Sequence, residues 1–210
     1  MLTTRPAVLV LSLVAAGCAS AAAGRSSPAL SAADLFPLRA GTSWTFERKG
    51  GPARVLELGV PNDAGQFPLF VAADGGERLP LARVSIEGGG ALVVRSPEGV
   101  QVLLRDPIRR GASWEWDPSS QPSAARRRAR VESIEEKELA GVVRTHVVVS
   151  YGPSGAAPNE RYRFARGVGW VGIERLGASG GGSETLELRA FSPGSEPEPN
   201  SAKSEPATGG

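Results

Sequence analysis

Residues 142–151 read VVRTHVVVSY, and one face of that stretch decides the fold: Val143, Thr145, Val147, Val149 and Tyr151 alternate with Arg144, His146, Val148 and Ser150. Alternation with a period of two puts successive side chains on opposite faces of a strand, one half-buried and one wet. The same period recurs outward in both directions. Val100, Val102 and Leu104 alternate with Gln101, Leu103 and Arg105, and Leu186 and Leu188 with Glu187 and Arg189. Between such runs lie turn-forming clusters: Gly50-Gly51-Pro52, Asp74-Gly75-Gly76, Gly88-Gly89-Gly90, Ser96-Pro97-Glu98-Gly99 and the glycine-rich stretch from Gly177 to Gly182. Strands are predicted near 42–49, 53–60, 67–72, 77–87, 91–95, 99–105, 112–117, 126–136, 142–151, 160–166, 168–176 and 183–191. The one helical signal is Ser31-Ala32-Ala33-Asp34-Leu35, a turn or so with Ser31 as N-cap. Many short strands at about ten-residue spacing predict an all-β fold. The sheet is expected to be antiparallel and strongly curved, a half-barrel or nearly closed barrel, because a long flat sheet packs badly and exposes its edges.

Two stretches repeat. Residues 37–47 read PLRAGTSWTFE and residues 107–117 read PIRRGASWEWD. Each copy places a proline that cannot donate to a ladder, then a glycine that permits a backbone bend, then two aromatic residues two apart on one face. Trp44 and Phe46 in the first copy, and Trp114 and Trp116 in the second, are therefore expected to drive large rings into the interior. Two equivalent core positions in two halves of one sheet is the favoured reading. An aromatic-lined ligand cavity is the alternative, which makes these four residues ligand-binding candidates. Catalysis is not supported, since neither copy pairs a nucleophile with a base.

The N-terminus gives an address. Arg5 and the amino terminus precede nine mostly apolar residues, PAVLVLSLV at 6–14, and Ala15-Ala16-Gly17 leads to Cys18, the sole cysteine. That pattern reads as a secretory signal, too short for a membrane span of about 20 apolar residues. The AAGC stretch resembles the lipobox of bacterial lipoproteins. The resemblance implies cleavage before Cys18, a diacylglyceryl group on its sulfur and an acyl chain on its new amino group. The expected organisation is a signal peptide at 1–17, a flexible tether at 18–32, a single β domain at 33–191 and a disordered proline-rich tail at 192–210. Ala19 follows the cysteine in place of the aspartate that holds many Gram-negative lipoproteins at the inner membrane, so the resemblance implies the outer membrane, facing the periplasm. Twenty-one Arg against three Lys, with abundant Ala, Gly and Pro, is consistent with a GC-rich bacterial genome.

A core of about 155–160 residues buries about 70% of its unfolded-chain surface, sufficient without disulfides or a metal. A formal charge of +2 gives no reason to expect nucleic acid as a partner. His146 is the sole histidine, so neither a histidine-based triad nor a multi-histidine metal site can be assembled; it is expected to be solvated or locally hydrogen-bonded. Glu132, Glu135, Glu136 and Glu138 are read as solvated carboxylates at a strand end and turn. Gly88-Gly89-Gly90 and Gly180-Gly181-Gly182 lack the Lys-Ser/Thr and helix of a phosphate-binding loop. The dense run Arg126-Arg127-Arg128-Ala129-Arg130 suits an exposed edge strand that resists aggregation, neutralised by the acids that follow; anionic headgroups are the functional alternative. No cofactor is implied and no enzyme is expected.

Longer phrases carry a family resemblance. Phe36-Pro37-Leu38-Arg39-Ala40-Gly41-Thr42-Ser43-Trp44-Thr45-Phe46 is similar to the opening FPL-x-x-G-x-x-W-x-F/Y of bacterial envelope lipoproteins. Glu135 to Gly141 leading into Val142 to Tyr151, then Tyr162-Arg163-Phe164-Ala165-Arg166-Gly167-Val168-Gly169-Trp170-Val171 with a last strand from Glu184 to Phe191, resemble the remainder of that pattern. Trp170 stands where a smaller apolar residue is common and joins the ligand-binding candidates. The resemblance implies a curved sheet of the lipoprotein-carrier type with an apolar concave face. It implies no reaction and no settled ligand. The favoured reading is a membrane-anchored, non-catalytic structural or accessory role through contacts with an envelope protein. The alternative is a carrier or sensor for an apolar ligand, a lipid or a lipoprotein acyl chain.

Overall fold

The computed structural model describes residues 29–48, 51–72, 76–119, 125–176 and 184–195. Twelve antiparallel strands form one nearly closed, barrel-like sheet: β1 (Ser43–Arg48), β2 (Arg54–Leu58), β3 (Phe67–Ala72), β4 (Arg78–Glu87), β5 (Ala91–Ser96), β6 (Gly99–Arg105), β7 (Ser113–Trp116), β8 (Arg127–Leu139), β9 (Val142–Pro153), β10 (Glu160–Ala165), β11 (Gly169–Arg175) and β12 (Glu184–Ser192). The expected all-β class holds. The spatial order is β6-β5-β4-β3-β2-β1-β12-β11-β10-β9-β8-β7, two six-stranded meanders joined where β1 pairs with β12. Five ladders carry a register shift, in β1/β12, β10/β11, β3/β4, β5/β6 and β8/β9. Such bulges bend and twist a strand locally, which lets a twelve-stranded sheet curl on itself.

The repeated stretches stand at equivalent places in the two meanders. Gly41 and Gly111 both take a left-handed backbone, φ 78° and 81°, which glycine adopts without steric cost. In the first copy the Gly41 N–H donates to Leu58 O (2.7 Å) and the Leu58 N–H to Thr42 O (2.9 Å). In the second, the Gly111 N–H donates to Val131 O and the Val131 N–H to Ala112 O, both at 2.9 Å. Both copies therefore hand the chain into a first strand that pairs with the second strand of its own half. Trp44, Phe46, Trp114 and Trp116 are all buried, as the core reading expects.

One end of the barrel is plugged. The short helix α1 (Ala32–Leu35) starts at Ser31, whose hydroxyl accepts from the Asp34 N–H while the Asp34 carboxylate accepts from the Ser31 N–H. This reciprocal pair satisfies two otherwise orphaned donors. Those Ser31 hydrogen bonds, with Arg166 beside them, hold the Asp34 carboxyl below its ordinary range. The helix is fixed across the end of the sheet by the Ala32 N–H donating to Asp106 Oδ1 (2.7 Å) and the Gly167 N–H donating to Asp34 O (2.8 Å). Behind it, Phe36, Trp44 and Trp170 pack with ring centroids 4.6 to 5.4 Å apart. Trp44 donates its indole N–H to Val168 O at 2.6 Å.

Four expectations need correction. The arginine run does not form an edge: β8 lies between β7 and β9, and the edges are β6 and the short β7. Local sequence shows how charged a strand is, not which neighbours it has. The acids do not neutralise the run as a block either. Arg126 pairs with Glu115 and Asp117, Arg127 with Glu160, Glu132 with Arg161 and Glu135 with Lys137. Glu135, Glu136 and Glu138 sit inside the 13-residue β8, because Ala140 and Gly141 (φ 51° and 79°) make a two-residue turn that carries the ladder to Leu139 opposite Val142. Finally, the His146 Nε2 is buried with no hydrogen-bond partner, and burial lowers the pKa of the ring.

Candidate functional site

Register determines which side chains look into the barrel. Phe46 is opposite Arg54 and Leu188; Leu186 is opposite Arg48 and Ile173; Tyr162 is opposite Ile173 and Val149; Arg175 is opposite Glu184 and Glu160. These positions share the inner face. Reading each strand from the plugged end to the other, aromatic and aliphatic residues give way to charged ones: Trp44, Phe46, Arg48 on β1, and Ile173 then Arg175 on β11.

Space is left inside that second end. A cavity of about 550 Å³ is lined mainly by Phe46, Leu56, Val71, Tyr162, Ile173 and Leu186, with Arg54, Arg175 and Glu184 at its mouth. A second cavity of about 410 Å³ reaches deeper, past Leu69, Val94 and Leu103 to Trp170. The two share Leu56, Leu81, Tyr162 and Ile173, so they form one branched apolar space. Each is within the roughly 300–1,000 Å³ usual for a small-molecule site.

Polar groups in this space are few. Tyr162 lines both branches; burial pushes its hydroxyl up to about 12, so it stays a neutral donor. That oxygen accepts from Gln101 Nε2 at 3.5 Å, and its own proton has no acceptor among the described residues. The Trp170 indole N–H is likewise buried without an acceptor. At the mouth, Glu184 forms ion pairs with Arg175 (3.6 Å) and Arg48 (3.5 Å), and Arg54 has no ion-pair partner among the described residues.

The sequence candidates divide. Phe46 and Trp170 line the cavities. Trp44 touches Trp170 from the plugged end and acts as filling. Trp114 and Trp116 close the barrel where no ladder does: their indole N–H groups donate from β7 to Val102 O (3.0 Å) and Val100 O (2.9 Å) of β6. The Tyr151 hydroxyl adds a bond to Leu103 O of the same strand. Trp116→Phe keeps the ring and removes one such bond. It is expected to cost about 0.5–1.5 kcal/mol in a denaturant titration and to speed hydrogen exchange along β6 before the rest of the sheet. Unchanged β6 exchange would mean that the seam is held by packing alone. Leu56, Leu81 and Ile173 were not singled out in the sequence, and Leu186 was named only for its strand alternation; the signal was an aliphatic residue two places inward of a charged one, as in Arg54/Leu56, Ile173/Arg175 and Glu184/Leu186.

Cys18, the signal peptide, the tether up to residue 28 and the tail beyond residue 195 lie outside the described residues. Among the described residues, no helix is long and apolar enough to cross a membrane. Comparison with protein-family models, with curated proteins and with solved structures finds no match for this chain.

Proposed function

We propose that this chain is a lipid-anchored, non-catalytic protein of the bacterial envelope whose barrel binds an apolar ligand, as a carrier or sensor. The observation that carries the reading is the branched cavity at the open end of a barrel whose other end is packed solid. A purely structural domain gains by filling its interior, since empty apolar volume forfeits dispersion contacts. Sequence alone ranked docking to an envelope partner ahead of ligand binding; the cavity reverses that order. Anchoring rests on the AAGC stretch at 15–18, and it suits a protein that handles lipid or acyl chains at a membrane surface.

Ile173 borders both branches, so Ile173→Trp fills the space where they meet. Binding of the neutral fluorescent probe N-phenyl-1-naphthylamine is expected to be saturable in the wild-type chain and lost in Ile173→Trp, with the denaturation midpoint little changed. Equal binding by the two proteins would remove the cavity as the site.

A further inference from the structure

We infer that the cavity takes a single-chain amphiphile with an anionic head, a long-chain carboxylate by class, held at the mouth by Arg54 and Arg175 with its chain running past Tyr162 toward Trp170. The inference rests on the ligand-binding reading above and adds to it a choice of headgroup.

The charges on the inner face support it. At the open end of the strands that line the barrel, the described inward-facing ionic residues are Arg48, Arg54, Arg127 and Arg175 against Glu160 and Glu184. Both acids are already engaged. Arg127 holds Glu160 at 3.2 Å, and Arg175 and Arg48 share Glu184. Four guanidinium groups meet Glu160 and Glu184 on the strands and Glu98 in the turn between β5 and β6, which leaves the mouth one positive charge in excess, and Arg54, opposite Phe46, adjoins the cavity without a partner among the described residues. A guanidinium presents a planar fork of donors matched to a carboxylate, and bonds of this charge-assisted kind are among the stronger ones.

The interior matches the other end of such a molecule. Between the arginines and Trp170 the lining is mainly Phe46, Leu56, Val71, Leu81, Ile173 and Leu186, and the carboxylate that borders the deeper branch, Glu98, stands in the turn between β5 and β6. A head-to-tail polarity is therefore built into the wall: cationic at the rim, apolar below. A neutral oil would leave the rim charges unused, and a cationic amphiphile would meet like charge.

The test uses the full chain carrying Cys18→Ala, so that no acyl anchor competes for the cavity. Displacement of N-phenyl-1-naphthylamine is measured with dodecanoate, dodecanol and dodecyltrimethylammonium at neutral pH. Dodecanoate is expected to bind at least about tenfold more tightly than dodecanol, as hydrogen bonds to charged groups predict, and dodecyltrimethylammonium to bind weakest. Arg54→Gln, an exposed position whose loss leaves the core intact, is expected to bring dodecanoate down to the dodecanol value and leave dodecanol unchanged. Equal binding of dodecanoate and dodecanol, or a preference that survives both Arg54→Gln and Arg175→Gln, would overturn the headgroup assignment and leave the apolar site standing. Failure of all three amphiphiles and of the probe to bind would overturn both readings together.

Discussion

Trp44→Ala is expected to cost about 3–5 kcal/mol of folding stability, the range for truncating a fully buried large aromatic side chain. Trp44 has no exposed surface, and four contributions are lost together. The apolar area of the ring is removed. The ring contacts with Phe36, Trp170 and Phe191 disappear. Val168 O loses the indole donor that reaches it at 2.6 Å. The space left cannot be refilled easily, because Gly169 already brings its backbone against Phe36 and Trp44, so close that an added Cβ would lie 2.9 Å and 3.2 Å from their rings. Equilibrium denaturation in urea gives the number. A loss below about 1 kcal/mol would mean that α1 and the rings behind it are not the plug that they form here. Trp114→Ala is the internal control. Its ring is also buried, but it sits at the seam between β6 and β7, where the edges have more freedom to close in, so its cost is expected to be the smaller of the two.

Cys18→Ala is expected to move the protein from the membrane pellet to the soluble fraction. With each buried methylene contributing about 0.8 kcal/mol, two or more acyl chains hold a protein on a bilayer for as long as it is observed, and among the described residues no helix is long and apolar enough to cross one. Position 18 precedes the first strand by more than twenty residues in sequence, so the thermal midpoint of the released protein is expected to match that of the wild type extracted in detergent. Partition between pellet and supernatant after carbonate washing, with intact mass of the wild-type protein, checks both parts. Wild-type protein found in the supernatant, or carrying no acyl mass, would remove the anchor from the proposal.

Much of the fold was legible in the sequence because half-buried strands advertise themselves. The alternation at 143–151 and at 100–105, with glycine-rich clusters between runs, located all twelve strands, and Ser31 with Asp34 located the helix start. The repeat at 37–47 and 107–117 marked the first strand of each meander. What periodicity could not convey was neighbourhood. Nothing local in Arg126 to Arg130 says that β7 pairs along its outer side, and nothing in His146 says that its Nε2 is buried without a partner. The cavity was hidden for a related reason. Alternation tells which residues face inward, as Leu56, Ile173 and Leu186 do, but whether inward-facing residues meet across the barrel depends on the curvature of the entire sheet. The large rings drew notice first, yet only Phe46 and Trp170 of the five border the two main branches of that space. Three others work as plug and staples.

The junction of β1 with β12 has a consequence for how the chain reaches this state. Every other ladder in the sheet joins strands that are consecutive in sequence, hairpins that can zip locally within microseconds. The ladder from Ser43 opposite Ser192 to Arg48 opposite Leu186 joins the first strand to the last. Its formation closes a loop of nearly the whole domain, and the entropy of that closure must be met before its hydrogen bonds return anything. The two meanders therefore resemble independently nucleating halves, and their union at the chain ends is expected to be the slow step of folding. Until it occurs, each half carries two unpaired flanks, so the aggregation-prone species during folding is expected to be a half-sheet rather than an unfolded coil.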